Sequence, residues 1–158
     1  MCREQKSFTP NPTRKQRIDL DADHEFLMEK FCLDDERTGI GFIKLDEYDL
    51  EILRKGDAVF LWETPFVPYE EVINVAQQAA REMAPEPGQT ILTAVFNVIG
   101  DMNMEIDDTI KIVEQLDPLR PSDVDIVYGM GFCDKQKGVR FVLATSEGTR
   151  WPGATSKC

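Results

Sequence analysis

The sequence has 158 residues, 42% hydrophobic and 30% charged, with a formal net charge of −11. That length suits one domain burying roughly two thirds of its unfolded surface, and the acidity argues against nucleic acid as a partner of the folded body. No apolar run approaches the ~18 residues of a membrane-spanning helix, and the N-terminal MCREQKSFTPNPTRKQR lacks the apolar centre of a secretory signal, so a cytoplasmic protein without membrane insertion is expected.

Residues 1–17 hold Arg3, Lys6, Arg14, Lys15 and Arg17 against the single acid Glu4, the composition of a disordered basic arm. One domain is expected over 18–148, with its core at 41–148 and a tail at 149–158. The acidic stretch Asp19 to Asp23 leads into a helix from His24 to Cys32 that would bury Phe26, Leu27 and Phe31. Two glycines in Thr38-Gly-Ile-Gly41 predict a turn, and a helix of two to three turns then ends at Lys55-Gly56. Asp57 to Trp62 reads as a strand closed by Pro65 and Pro68. Val72, Val75, Ala76, Ala79 and Met83 form one face of a helix over 69–83, with Glu70 and Glu71 at its start and Arg81 near its end.

Ile91 to Ile99 is apolar on both parities, the pattern of a central strand covered on both faces. Asn103 is the expected cap of the next helix, with Ile106, Ile110, Val113 and Leu116 as its buried side. Two strands close the chain, Val124 to Cys133 and Val139 to Thr145, joined through Asp134 to Gly138 and expected to pair as an antiparallel hairpin. Strands linked through helices are normally parallel, so the fold class is α+β, two layers, with a mixed four-stranded sheet and helices packed on it.

Chemistry-bearing residues are few. Cys2, Cys32, Cys133 and Cys158 are scattered, without a C-x-x-C pair and with His24 as the only histidine, so neither a zinc site nor a disulfide framework is expected, and Cys32 and Cys133 read as small core fillers. Trp62 reads as core or sheet edge, and Glu105, Asp107 and Asp108 as a solvated helix start. No nucleophile and base can be assembled around one histidine. The stretch that stands out is Gly41-Phe-Ile-Lys44-Leu-Asp46-Glu-Tyr48-Asp49, where two acids three residues apart open an amphipathic helix and face roughly the same way. Capping the helix is the plain explanation for both acids.

From about Gly41 to Gly148 the chain resembles the C-terminal domain of FtsZ, the bacterial relative of tubulin, together with the loop that precedes it. The family's loop reads G-x-x-N-x-D-x-x-D and leads into a helix; the same spacing here is carried by Gly41, Lys44, Asp46 and Asp49, with Lys44 in place of the family's asparagine. The downstream order of strands and helices follows the family, and Val139 to Thr145 is similar to its terminal strand. In FtsZ this loop enters the nucleotide site of the neighbouring subunit, where its acids orient the water that attacks GTP. The resemblance therefore implies that Asp46 and Asp49 occupy the positions of a catalytic pair acting in trans. The family's glycine-rich phosphate loop has no counterpart, so the chain alone is not expected to bind GTP or any cofactor, nor to act as an enzyme by itself.

Two functional expectations follow. One is an interaction module of cell division that offers Gly41, Lys44, Asp46, Tyr48 and Asp49 to an FtsZ-like GTPase polymer. The other is a self-associating α+β domain, or an oligomer binding a small molecule between subunits, in which the acids are only caps.

Overall fold

In the computed structural model the described residues are 15–31, 40–43, 45–119, 125–133 and 136–149. Strands β1 (Gln16–Ile18), β2 (Ile40–Ile43), β3 (Ala58–Glu63), β4 (Thr90–Gly100), β5 (Asp125–Phe132) and β6 (Val139–Gly148) form a mixed sheet in the order β1-β3-β6-β4-β5-β2. Helices α1 (His24–Phe31), α2 (Glu47–Leu50), α3 (Tyr69–Glu82) and α4 (Ile106–Gln115) pack on it, and α2 runs on as a 3-10 turn over Glu51–Lys55.

The alternation of β4 divides the interior. Phe96 and Val98 point to the face covered by α3 and α4, joining Val72, Ala76, Ala79, Met83, Ile112 and Leu116. Val95 points to the opposite face, with Leu27 and Phe31 of α1, Leu45, Leu50 and Leu53. Each of these large side chains contributes roughly 1.5–3 kcal/mol through its removal from water. Trp62 is 1% exposed and its ring stacks on Phe141, as expected of a core residue.

The closing hairpin does not form. Strand β6 instead enters between β3 and β4, antiparallel to both, while β5 pairs parallel with the far edge of β4. Residues 142–148 of β6 are all buried, as are 94–100 of β4, whereas β5 leaves Asp125 and Tyr128 exposed. Burial thus places β4 and β6 at the centre, and the glycine at the end of the connecting loop serves a crossing over the end of β4. Two additional edge strands raise the sheet from the expected four strands to six. One of them takes Gln16 and Arg17 out of the expected arm, and the other takes Ile40 and Gly41 out of the expected turn, with the pairing to β5 shifting register between Gly41 and Ile43.

Helix α4 is also rotated from its expected position. Glu105, not Asn103, is its cap, in a reciprocal capping box with Asp108. The buried side is Thr109, Ile112 and Leu116, while Ile106 and Ile110 are about half exposed, at 56% and 48%.

The crossing from β5 to β6 is tied to the end of β4 by Asp101. Its carboxylate accepts from the Gly138 N–H at 2.8 Å, the Asn103 N–H at 2.9 Å and the Tyr69 hydroxyl at 3.0 Å, and its own N–H donates to the Gly138 carbonyl. Burial opposes ionisation of Asp101, but the donations from Gly138, Asn103 and Tyr69 together outweigh it and hold the carboxyl below its usual range. Burial, reinforced by the hydrogen bond to Asp101, pushes the Tyr69 hydroxyl well above its ordinary value. Because the folded pKa of Asp101 is depressed, its stabilisation is present above the unfolded value of about 3.9 and is lost as pH falls through the folded value. Asp101→Asn should therefore flatten the acid limb of a Tm-against-pH curve; an unchanged limb would remove Asp101 from this role.

Gly138 sits at φ +94°, and a Cβ there would lie 2.3 Å from the Val67 carbonyl oxygen. Gly138→Ala should cost roughly 2 kcal/mol or more, read as a lower urea midpoint. A loss below about 0.5 kcal/mol would show that the crossing tolerates a side chain.

Candidate functional site

The acid turn is built on leucines. Leu45 and Leu50, at the positions before the cap and four after it, are 5% and 4% exposed in the same core cluster, and Leu53 is fully buried below them. This is the placement of a hydrophobic staple, which fixes the angle at which the chain enters the helix. Between the leucines, Asp46 has extended backbone (φ −129°, ψ −177°) and caps α2. Its Oδ1 accepts from the N–H groups of Tyr48 at 2.9 Å and Asp49 at 3.2 Å, while Oδ2 of Asp49 accepts from the Asp46 N–H at 2.8 Å. The two acids are therefore a reciprocal capping box, and that box uses one oxygen of each.

The rest of the turn faces outward. Asp46 is exposed, Asp49 is partly so, and Tyr48 between them is 76% exposed. Gly41 lies in β2, and Lys44 lies outside the described residues. The structure thus brings Asp46, Tyr48 and Asp49 together on one turn of chain held from beneath by the core.

Among the described residues, the turn lines neither of two hollows in the structure. A cleft of about 490 Å³ runs along β1 and the start of β3 and is lined by Arg17, Asp19, Asp21, Asp23, Arg54 and Asp57 among others, none of them in the turn. A small apolar void of about 30 Å³ lies under α4, between Phe96, Val113, Leu116 and Tyr128. Among the described residues no group of three or more His, Cys, Asp or Glu could hold a metal ion.

Three polar arrangements escaped sequence reasoning. Asn97 is fully buried on β4, and its Nδ2 donates at 3.4 Å to the carbonyls of Lys30 and Phe31, tying the end of α1 to the sheet. The Asp101 tie and the ion pair between Lys15 and Glu147 are the others. Asn97 interrupts an otherwise apolar strand, which is a visible signal, whereas Gly138 and Tyr69, which hold Asp101, and Lys15, which holds Glu147, are dozens of residues from their partners and leave no local pattern. His24 is exposed at the start of α1 and Cys133 is a partly buried free thiol.

The capping box gives a stability prediction. Asp46→Ala should cost roughly 1 kcal/mol, whereas Asp46→Asn, which keeps an accepting oxygen, should cost a few tenths. Equal losses in the two variants by urea denaturation would show that the box does not hold the turn.

No protein-family model and no curated protein matches the sequence. Solved structures do match. The FtsZ W319Y mutant of M. jannaschii superposes over 82% of this chain and 40% of its own, at 16% identity and a TM-score of 0.52. The helical model of the four-stranded TubZ-Bt filament matches over 87% of this chain and 34% of its own, at 13% identity and a TM-score of 0.54. A GTPγS-form protofilament of Bacillus thuringiensis serovar israelensis TubZ matches over 72% and 31%, at 13% identity and a TM-score of 0.52. The chain spans less than half the length of each of these proteins. The mixed sheet with helices packed on it is therefore an FtsZ C-terminal-domain-like fold, shared in its architecture with FtsZ and TubZ.

Proposed function

We propose that this chain is an interaction module that docks its Asp46–Asp49 turn on an FtsZ-like GTPase polymer and thereby regulates it, in the manner of a cell-division factor. The observation that carries the proposal is the combination in the turn itself: Asp46 and Tyr48 are exposed and Asp49 partly so, all clamped by a capping box over buried leucines, and they line neither cavity described above. A rigid surface turn loses little further entropy on docking, which favours its use as a probe of a partner's pocket. The likeness to TubZ, solved as a protofilament and as a four-stranded filament, supports a polymer of that kind as the partner. In the docked state the second oxygens of Asp46 and Asp49 would face a nucleotide's phosphates and hold water, with a cation or donors of the partner offsetting the repulsion. The module would then contribute acids in trans while having no activity of its own.

The test is to add the chain to the FtsZ-like GTPase of the same cell and follow GTP turnover and polymer mass. At micromolar excess the chain should change both. The double variant Asp46→Asn and Asp49→Asn, which keeps accepting oxygens for the box, should reduce the effect at least about tenfold. An effect of equal size with the double variant, or none with the native chain, would contradict the proposal.

A second reading, self-association, is favoured by one observation. Ile106 and Ile110 lie four residues apart on α4 and are 56% and 48% exposed, and Met102 in the turn before the helix is 57% exposed, apolar surface that another molecule could cover. Sedimentation of Ile106→Lys beside the native chain distinguishes the two. An oligomer lost in the variant supports self-association, and a monomer in both leaves the docking of the acid turn as the function.

A further inference from the structure

Lys15 reaches into the body one residue before β1. Its ammonium donates to Oε2 of Glu147, to the Ala84 carbonyl at 3.0 Å and to Glu86 at 3.4 Å, and it stands 4.3 Å from the centre of the Phe60 ring. Glu147 is 1% exposed, and its other oxygen accepts from the Glu86 N–H at 3.2 Å. A carboxylate buried to that extent needs a cation, and Lys15 is the one seated on it. Along the following three residues Gln16 pairs with Leu61, Arg17 with Phe60 and Ile18 with Val59, and Ile18 ends buried against the second core cluster.

Residues 15–18 thus fill a groove with three features: a buried acid at one end, the open edge of β3 along its length, and an apolar hole at the other end. Each wall comes from residue 57 or beyond, or from the core under α1, so the geometry does not require the inserted strand to come from the same chain. Three residues of ladder are a short hold, and the adjoining turn is closed by the Asp19 carboxylate accepting from the N–H groups of Asp21 and Ala22, with one exposed ion pair, Asp21 to Arg54 at 2.8 Å, tying it to the body. A strand lacking the lysine would leave Glu147 unpaired, and one lacking a large aliphatic residue three positions later would leave the hole empty.

We propose that this groove is a strand-acceptor site that reads a lysine followed three residues later by a large aliphatic side chain, and that residues 15–18 of a second copy can occupy it by exchange. The inference concerns the edge of the sheet opposite β2 and is independent of the Asp46–Asp49 turn. Exchange would remake the Lys15–Glu147 pair and the β1–β3 ladder between copies, so the dimer would conserve the contacts of the monomer.

Disulfide trapping tests it. In a background with the four native cysteines changed to serine, copies carrying Arg17→Cys are incubated at high concentration with copies carrying Phe60→Cys and then oxidised. A variant carrying both changes in one chain shows that the two positions can bond. The proposal expects a disulfide between copies, with a yield at least tenfold lower when the Arg17→Cys copy also carries Lys15→Met. Closure within the double variant but none between copies would overturn the exchange, and equal yields with and without Lys15 would overturn the reading of lysine.

Discussion

Strand β4 is buried from Ala94 to Gly100, and a strand in that position needs hydrogen-bonding neighbours along both edges as well as cover on both faces. Strand β5 supplies one edge, parallel to β4 and following it in the chain after α4. The other edge is supplied by β6, which must leave β5, cross the end of β4 and return antiparallel between β3 and β4. The Asp101 carboxylate makes that crossing, because it holds the Gly138 backbone and the Tyr69 hydroxyl together where the chain changes direction. With β6 in place, the two faces acquire separate cores, and the second of these carries Leu45, Leu50 and Leu53. The leucines under the acid turn share that core with Val142 and Ala144 of β6.

The capping role of the two acids is compatible with the proposed docking. Capping requires one oxygen of Asp46 and one of Asp49, and it fixes both carboxylates relative to the core. A side chain immobilised for structural reasons is already organised for recognition, so the plain explanation of the Asp46–Asp49 spacing is also the physical basis of the proposed docking. In the proposed docking, the partner's nucleotide pocket would enclose the turn.

Much of this was legible in the sequence, and the misses have identifiable causes. The helix over Tyr69–Glu82, the apolar strand around Ile91 to Ile99 and the capping of α2 by Asp46 rest on local periodicity and local hydrogen bonds, which a single sequence displays. The pairing of β5 and β6 was misread because Asp134 to Gly138 has hairpin composition, while the deciding factor was the competition of three strands for the two central places. In α4, Ile106 and Ile110 match a helical face as well as Thr109 and Ile112 do, and the choice is made by the angle at which the helix meets the sheet. Lys15 and Arg17 resembled the rest of a basic arm because the partner that draws Lys15 inward, Glu147, is distant in sequence.

The most direct measurement is a hydrogen-exchange footprint of this chain bound to an FtsZ-like GTPase polymer in the GTP state. The account predicts slowed exchange confined to the amides of Leu45 to Leu50, with the surface of α4 unchanged. Protection that falls on α4 around Ile106 and Ile110 and spares the acid turn would contradict it.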